Sequence, residues 1–226
     1  MARQTDDVTV ADLPGVPETL LAANVLAALP AATPAPPWLC RVEAVLWWHR
    51  ASPAARTALP EPLRERAGLP LTVGAFLRYL DTPVGAYEEV LAVPHLLGPL
   101  PRLHIPFIAV DSLPSVQGGR THWDLPKVLG SFARSDTAVR AEGTGWWARA
   151  EAAPVGPALP VLGRVGDVQV DGAGLVRRST STMRGWGRLA RVDVDVDPAC
   201  SLAGWLLPGR HRGAVLHGRV LVGPAR

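Results

Sequence analysis

The sequence contains a single lysine, Lys127, beside 22 arginines. Most surface positions that need a positive charge accept either residue, so this chain has replaced lysine wherever replacement was harmless. A lysine amine can lose its proton near neutral pH and attack a carbonyl carbon, whereas the arginine guanidinium stays charged. The remaining lysine is therefore a candidate for covalent chemistry through an imine. A GC-rich genome would produce the same bias, and the position of the lysine would then carry no meaning.

The surroundings of Lys127 suit an uncharged amine. Residues 118–130 read GGRTHWDLPKVLG, and the two residues on each side of the lysine are apolar. An apolar setting disfavours the ammonium form, and the preceding proline restricts the backbone. The alternative is a lysine whose stem covers apolar surface while its amine reaches water.

The rest of the chain predicts the elements that must position this lysine. With 226 residues, of which 48% are hydrophobic, the chain is long enough to bury a substantial core. Helices are expected over 17–29, 52–68 and 112–123. Apolar or alternating runs predict strands over 41–48, 73–81, 87–93, 105–110, 129–139, 146–152, 165–170, 191–197 and 215–222.

These elements predict an α+β fold in which a large antiparallel sheet closes into a barrel, with a few short helices. We expect residues 1–37 to form a tail and a helix, and residues 38–226 to form the main domain. In the strand 41–48, the side chains of Val42, Ala44, Leu46 and Trp48 share one face.

The composition argues against several classes of protein. The net charge is +3, but no run of five basic residues occurs, so nucleic-acid binding is not expected. Cys40 and Cys200 have no metal-ligand spacing and are expected to be free thiols. The apolar stretch 20–32 is too short to cross a bilayer and follows acidic residues, unlike a signal peptide. We therefore expect a cytoplasmic protein with no membrane partner.

Three segments resemble the acetoacetate decarboxylase family. They are YLDTPVGAYEEV at 79–90, IAVDS at 108–112 and the lysine segment at 118–130, and their order and spacing match. The resemblance extends over residues 38–224. It implies an acetoacetate decarboxylase-like fold, an imine-forming lyase that needs no metal or organic cofactor, and a homo-oligomer.

The resemblance also implies roles for individual residues. Lys127 matches the lysine that forms the imine with a β-keto acid, and Glu89 matches an active-site glutamate suited to shuttle a proton. Arg41 matches an arginine on an early strand that binds the substrate carboxylate through two parallel hydrogen bonds. Trp123 is a candidate for the wall of the substrate pocket.

Each of these roles has an alternative. Neighbours in a strand face opposite sides, so Glu88 is the other candidate for the pocket-facing glutamate. Arg41 would otherwise be a charge at a strand edge, and Trp123 would otherwise pack in the core.

The sequence departs from the family pattern at two positions. Acetoacetate-cleaving members carry a second lysine after the nucleophile and a glutamate after the Gly-Arg pair, where this chain has Val128 and Thr121. These changes leave imine chemistry intact but argue against acetoacetate itself, and the wider superfamily includes members that condense pyruvate with aldehydes. The sequence thus predicts a Schiff-base lyase for a small keto acid, acting by β-keto acid decarboxylation or by pyruvate aldol condensation and dehydration. The competing interpretation is a non-catalytic small-molecule-binding protein on the same fold.

Overall fold

Strands dominate the computed structural model, which describes residues 12–66, 68–98 and 102–226. Within these residues the strands are β1 (Trp38–Arg50), β2 (Leu71–Asp81), β3 (Tyr87–Val93), β4 (Arg102–Leu103), β5 (Phe107–Val110), β6 (Lys127–Leu129), β7 (Ser131–Arg134), β8 (Ala138–Gly143), β9 (Trp146–Val170), β10 (Val176–Val196) and β11 (Gly209–Val222). The helices are α1 (Ala23–Ala28), α2 (Pro53–Thr57), α3 (Glu61–Arg64) and α4 (Leu113–Trp123), with 3-10 turns at Pro17–Thr19 and Ser201–Gly204. None of these helices has the length and apolar character needed to cross a bilayer.

All the strands belong to one sheet with the order β6-β5-β3-β2-β1-β11-β10-β9-β8-β7, and β4 pairs with β9 beside this path. Most pairs are antiparallel, as the sequence predicts. The pairs β5–β6 and β4–β9 are parallel, so the sheet is mixed.

The prediction that the sheet closes into a barrel is wrong. Closure would require β6 and β7, the two ends of the path, to pair with each other, and no such pairing occurs among the described residues. The two strands are consecutive in the chain and are separated only by Gly130. Even the tightest antiparallel hairpin needs about two linking residues, so a one-residue link cannot fold β7 back onto β6.

The first strands of the path contribute side chains to both faces of the sheet, since successive side chains of a strand point in opposite directions. Both of these faces are covered. One face belongs to the main hydrophobic core, which includes Trp47, Phe76, Val90 and Phe107. The opposite face of the same strands lines an internal cavity. The sheet therefore separates a packed core from a space able to hold a small molecule.

Strand β9 is much longer than the sequence predicts, because the two strands expected at 146–152 and 165–170 are one continuous strand. The segment between them contains Pro154, Pro157 and Pro160. In the described residues, this segment pairs with β10 on one side only, since β8 pairs with residues 146–151 and β4 with 166–167. Proline lacks a backbone donor and is tolerated along such a free edge.

The segment before β1 packs on the sheet. The helix expected over 17–29 is interrupted, since Leu20 and Ala22 have extended backbones between the 3-10 turn and α1. The Val16 amide donates to the Pro106 carbonyl at 3.1 Å, and Thr19 is buried. The division of the chain at residue 38 stays a prediction.

Candidate active site

Lys127 and Glu89 reach the cavity from strands β6 and β3, which lie on either side of β5. Lys127 pairs with Ile108 of β5, and Glu89 pairs with Val110 of the same strand. Because Ile108 and Val110 are two residues apart, the side chains of Lys127 and Glu89 lie on one face of the sheet. Parallel pairing of β6, made possible by α4 between β5 and β6, is what brings them together.

The amine and the carboxylate form a buried pair. Lys127 Nζ lies 2.7 Å from Glu89 Oε2, and the two residues are 4% and 2% exposed. The amine also donates to Ser115 Oγ at 3.1 Å and lies 5.3 Å from the centre of the Tyr87 ring. The Tyr79 hydroxyl donates to the other oxygen of Glu89 at 3.4 Å. Both members of the pair are therefore held in one orientation by neighbouring polar groups.

The other ionisable groups beside this pair stay uncharged near neutral pH. Burial, and then the negative charge of Glu89, raise the pKa of Tyr79 and Tyr87 well above the ordinary tyrosine value. The same two causes raise the pKa of the Cys40 thiol to about 12. These three side chains therefore add no charge beside the pair of Lys127 and Glu89 near neutral pH.

The cavity itself is small and largely apolar, with a volume of about 230 Å³. That is below the usual range for drug-sized ligands and suits a small metabolite. Among the described residues that line it, the charged ones are Lys127, Glu89 and Asp167. Apolar wall residues include Leu46, Val73, Leu77, Leu91, Ile108 and Val220.

Two consecutive glycines in α4 allow the helix to lie directly against the site. A Cβ atom on Gly119 would come within 2.5 Å of Lys127 Cδ, and one on Gly118 would come within 2.5 Å of the Trp38 ring. Glycine inside a helix costs about 1 kcal/mol relative to alanine, so the pair needs a compensating reason. The close approach of the lysine stem and the tryptophan supplies it.

Arg120 fixes the backbone of the lysine strand. Its Nε donates to the Lys127 carbonyl at 2.7 Å, and its Nη2 donates to the Thr19 carbonyl at 3.1 Å. Burial lowers the pKa of Arg120 to about 10, which leaves the guanidinium charged at neutral pH. Arg120 thus joins α4, β6 and the segment before β1.

Arg41 is not brought to this site. Strand alternation places Trp38 and Cys40 in the cavity wall, while Arg41 lies on the other face of β1 with exposed Leu39 and Glu43. The interpretation of 41–48 as an alternating strand already put Arg41 opposite its inward-facing residues, and the role implied by the resemblance conflicted with it.

The two glutamates of β3 lie on opposite faces, as expected for neighbours in a strand. Glu89 faces the cavity, whereas Glu88 forms ion pairs with Arg134 and Arg78 on the outer face. The structure brings the sequence-predicted Lys127 and Glu89 together.

Trp123 lies in the cavity wall and also contributes to packing. It lines the cavity, and its indole nitrogen donates to the Gly223 carbonyl at 2.7 Å. Its ring packs edge-on against Trp38 with centroids 4.8 Å apart. It thus lies in the wall and also attaches α4 to the end of the chain.

Sequence reasoning missed Ser115 and Tyr79. Ser115 lies in the first turn of α4, where a serine is ordinarily interpreted as part of helix capping, and Ser112 fulfils that role by accepting from the Ser115 amide. The signal available for Tyr79 was its position in β2, where it pairs with Tyr87. The described residues contain no group of three or more His, Cys, Asp and Glu side chains arranged to hold a metal ion.

Comparison with known proteins identifies a matching family model. The family model described as "Acetoacetate decarboxylase (ADC)" matches residues 25–146, which is more than half of the chain. No protein with a curated function matches.

Solved structures of the same fold cover most of the chain. A structure from structural studies of acetoacetate decarboxylase is 15% identical, with a TM-score of 0.61, and covers 86% of this chain and 90% of its own. Acetoacetate decarboxylase from Legionella pneumophila is 14% identical, with a TM-score of 0.59 and coverages of 87% and 90%.

A third similar structure is the enduracididine biosynthesis enzyme MppR, complexed with the condensation product of pyruvate and imidazole 4-carboxaldehyde. It is 16% identical, with a TM-score of 0.54 and coverages of 85% and 89%. At these identities the three structures establish the fold, and the family model establishes the family. The chain belongs to the acetoacetate decarboxylase family.

Proposed function

We propose that the protein is a Schiff-base-forming lyase that acts on a small keto acid through Lys127. The observation that carries the proposal is the buried contact of 2.7 Å between Lys127 Nζ and Glu89 Oε2 at the wall of an apolar cavity. Family membership supports an enzyme of this class. Buried ionisable pairs in a cavity are typical of active sites, because burying two charges costs stability that a structural role does not require.

The pair has the groups that imine formation needs. Transfer of one proton from Nζ to Glu89 leaves a neutral amine and a neutral carboxyl group, both of which an apolar cavity tolerates better than charges. The amine then attacks the ketone carbon, and one of its two protons passes to the carbonyl oxygen. The carboxyl group returns the second proton to this oxygen, so that water leaves, an iminium with one N–H forms and Glu89 becomes a carboxylate again. Ser115 keeps the amine oriented while Glu89 changes its charge.

The charges of the cavity favour decarboxylation over pyruvate condensation. With Arg41 on the outer face, the described lining offers a keto acid one cation, Lys127, beside two carboxylates. Loss of carbon dioxide from a β-keto acid removes the poorly accommodated carboxylate, and the bonding electrons flow into the iminium to give a neutral enamine. In a pyruvate condensation the carboxylate would stay in the cavity through every step.

Imine trapping tests the proposal. The protein is incubated with pyruvate and with a series of β-keto acids, reduced with borohydride, and digested. Because the chain has one lysine, a mass increase on the Lys127 peptide identifies the adduct without ambiguity. The variant Lys127→Arg keeps a cation beside Glu89 but forms no imine, and should give no adduct while its circular dichroism spectrum stays unchanged.

The same experiment distinguishes the proposed enzyme from the competing, non-catalytic function. A folded wild-type protein that forms no adduct with any keto acid, yet binds one of them by calorimetry, would be a non-catalytic binding protein. Release of carbon dioxide would identify decarboxylation, and an adduct with pyruvate alone would identify the condensation reaction.

We also propose that the protein is cytoplasmic and forms a homo-oligomer, as the family resemblance implies. The exposed apolar side chains of β9 and β10 support self-association.

A further inference from the structure

Four polar side chains interrupt the apolar lining of the cavity on the wall formed by β9 and β10. Asp167 and Gln169 lie two residues apart in β9, and Ser179 and Ser181 lie two residues apart in β10, so all four face the cavity. We call these four residues the polar wall. The Schiff-base chemistry proposed above uses none of them, because Lys127 and Glu89 project from β6 and β3.

The hydrogen bonds within the polar wall are few and long. The hydroxyls of Ser179 and Ser181 donate to the same oxygen of Asp167, Oδ2, at 3.3 and 3.4 Å. Distances for O–H···O bonds are usually 2.5–3.0 Å, so these two contacts satisfy the carboxylate poorly. Gln169 is 3% exposed, and within the described residues neither its amide oxygen nor its amide nitrogen has a hydrogen-bond partner.

The nearby His104 does not supply the hydrogen bonds that the Gln169 amide lacks. His104 Nδ1 donates to the Val168 carbonyl at 3.0 Å, and its Nε2 also lacks a partner. A small shift that paired the Gln169 amide nitrogen with His104 Nε2 would still leave the amide oxygen without a donor. The polar wall thus presents acceptors, the Gln169 oxygen and the Asp167 carboxylate, and needs a donor from outside.

A wall with only a structural role would not be built this way. Leaving a buried amide without hydrogen bonds costs about 1–3 kcal/mol, and an apolar side chain in its place would avoid that cost. The rest of the lining shows that the sheet accommodates apolar residues here, because Val165 lies beside Asp167 on the same face. The acceptors are therefore better explained by a ligand than by packing.

We infer that the polar wall binds a hydroxyl group at the far end of the substrate, whose carbonyl carbon reacts with Lys127 and whose middle is apolar. This inference rests on the proposed function for the reacting end. It narrows the substrate to a β-keto acid whose chain beyond the ketone is aliphatic and ends in a hydroxyl. Decarboxylation of such an acid yields a hydroxylated methyl ketone, which returns to the same imine with Lys127 and is therefore a suitable probe.

The test compares two homologous series of methyl ketones, one ending in a hydroxyl and the other in a methyl group, over chains of four to eight carbons. Dissociation constants are measured by calorimetry, which detects binding without requiring an imine, and adduct formation is measured by borohydride trapping. At one chain length the hydroxylated ketone should bind at least about tenfold more tightly than its methyl counterpart, since it gains a hydrogen bond to a charged group.

Matched variants separate the polar wall from the rest of the protein. Asp167→Asn and Gln169→Leu should each reduce the preference for the hydroxyl to less than about threefold. Asp195→Asn changes an aspartate on the outer face of β10 and should leave the preference intact. If plain ketones bind and form adducts but no chain length shows a preference for the hydroxyl, the inference is wrong and the proposed function stands. If hydroxylated ketones bind preferentially but no adduct forms, the proposed function fails and the polar wall is retained as a binding site.

Discussion

At the scale of single residues, the site depends on which glutamate of β3 faces the amine. Glu88 and Glu89 are chemically identical neighbours, yet one pairs with surface arginines and the other with Lys127 in the cavity. The chain therefore contains its own control for the role of the buried carboxylate.

Replacing Glu89 with glutamine keeps the shape of the side chain and removes the group that accepts the proton of Lys127. Without that group no side chain accepts the proton of the amine and returns it to the departing oxygen, and we expect imine trapping with one methyl ketone to slow by about 10²-fold or more. Glu88→Gln removes two surface ion pairs, each of at most about 1 kcal/mol, and should trap within twofold of wild type. Equal rates for the two variants would contradict a proton-transfer role for Glu89.

Gly119 controls the position of the lysine stem. In Gly119→Ala the new methyl group would lie within 3.0 Å of three carbons of the Lys127 side chain, so the lysine must move away from its position beside Glu89. We expect trapping to fall at least about tenfold, because misplacing a reacting group by about 1 Å can cost 10² in rate. The matched control is Gly163→Ala, since a Cβ there has no atom within 4 Å. Wild-type trapping by a folded Gly119→Ala protein would show that the close approach has no functional consequence.

At the scale of elements, the strand pair β9–β10 loses stability because it places polar side chains inside the cavity. Burial raises the pKa of Asp167 from 3.8 to about 6, against the weaker effect of its two serine donors. The folded protein therefore binds more protons than the unfolded chain between these two pH values, so stability falls as the pH rises through this window.

Asp167→Asn should remove this loss of stability. At pH 7.5 we expect the free energy of unfolding to exceed that of wild type by about 1–3 kcal/mol, and the difference to vanish below about pH 3, where the wild-type carboxyl group is protonated in both states. Urea denaturation at several pH values measures it. A variant that is less stable than wild type at pH 7.5 would mean that the carboxylate is well accommodated, which would weaken the case for a ligand at the polar wall.

Strands β2 and β3, compared with β9 and β10, show how much of the fold and of the site the sequence could predict. Strands β2 and β3 follow clear apolar patterns, and their predicted bounds, 73–81 and 87–93, match the observed strands closely. Lys127 and Glu89 were predicted as site residues because both lie in distinctive local motifs. The polar wall was not found, since Asp167 and Ser179 resemble ordinary surface residues in a chain rich in proline and glycine. Only the register between β9 and β10 turns them toward the cavity.

At the scale of the whole molecule, the middle of β9 and the facing part of β10 leave apolar side chains exposed. Leu162 is 83% exposed, Leu189 62% and Leu159 59%, and Trp186 lies half-exposed on the neighbouring strand. By strand alternation Leu162 shares a face with Trp186, and Leu159 lies on the opposite face. Exposed apolar side chains on otherwise polar surfaces mark sites of association. The prolines along the free edge of β9 lack donors for strand pairing, so we expect a second copy to contact the faces of these strands rather than extend the sheet.

A single charge at Leu162 should therefore prevent self-association. Wild-type protein at micromolar concentration should sediment with a mass of at least twice the 24.0 kDa of one chain, and Leu162→Arg should sediment at 24.0 kDa. The matched control is Leu69→Arg, which places the same charge on an exposed leucine before β2 and should leave the mass of the oligomer unchanged. Because the reacting groups and the polar wall all belong to one chain, the Leu162→Arg monomer should still form the Lys127 adduct with a methyl ketone. A monomer unable to trap would instead mean that contact between subunits holds the β9–β10 wall in place around the substrate.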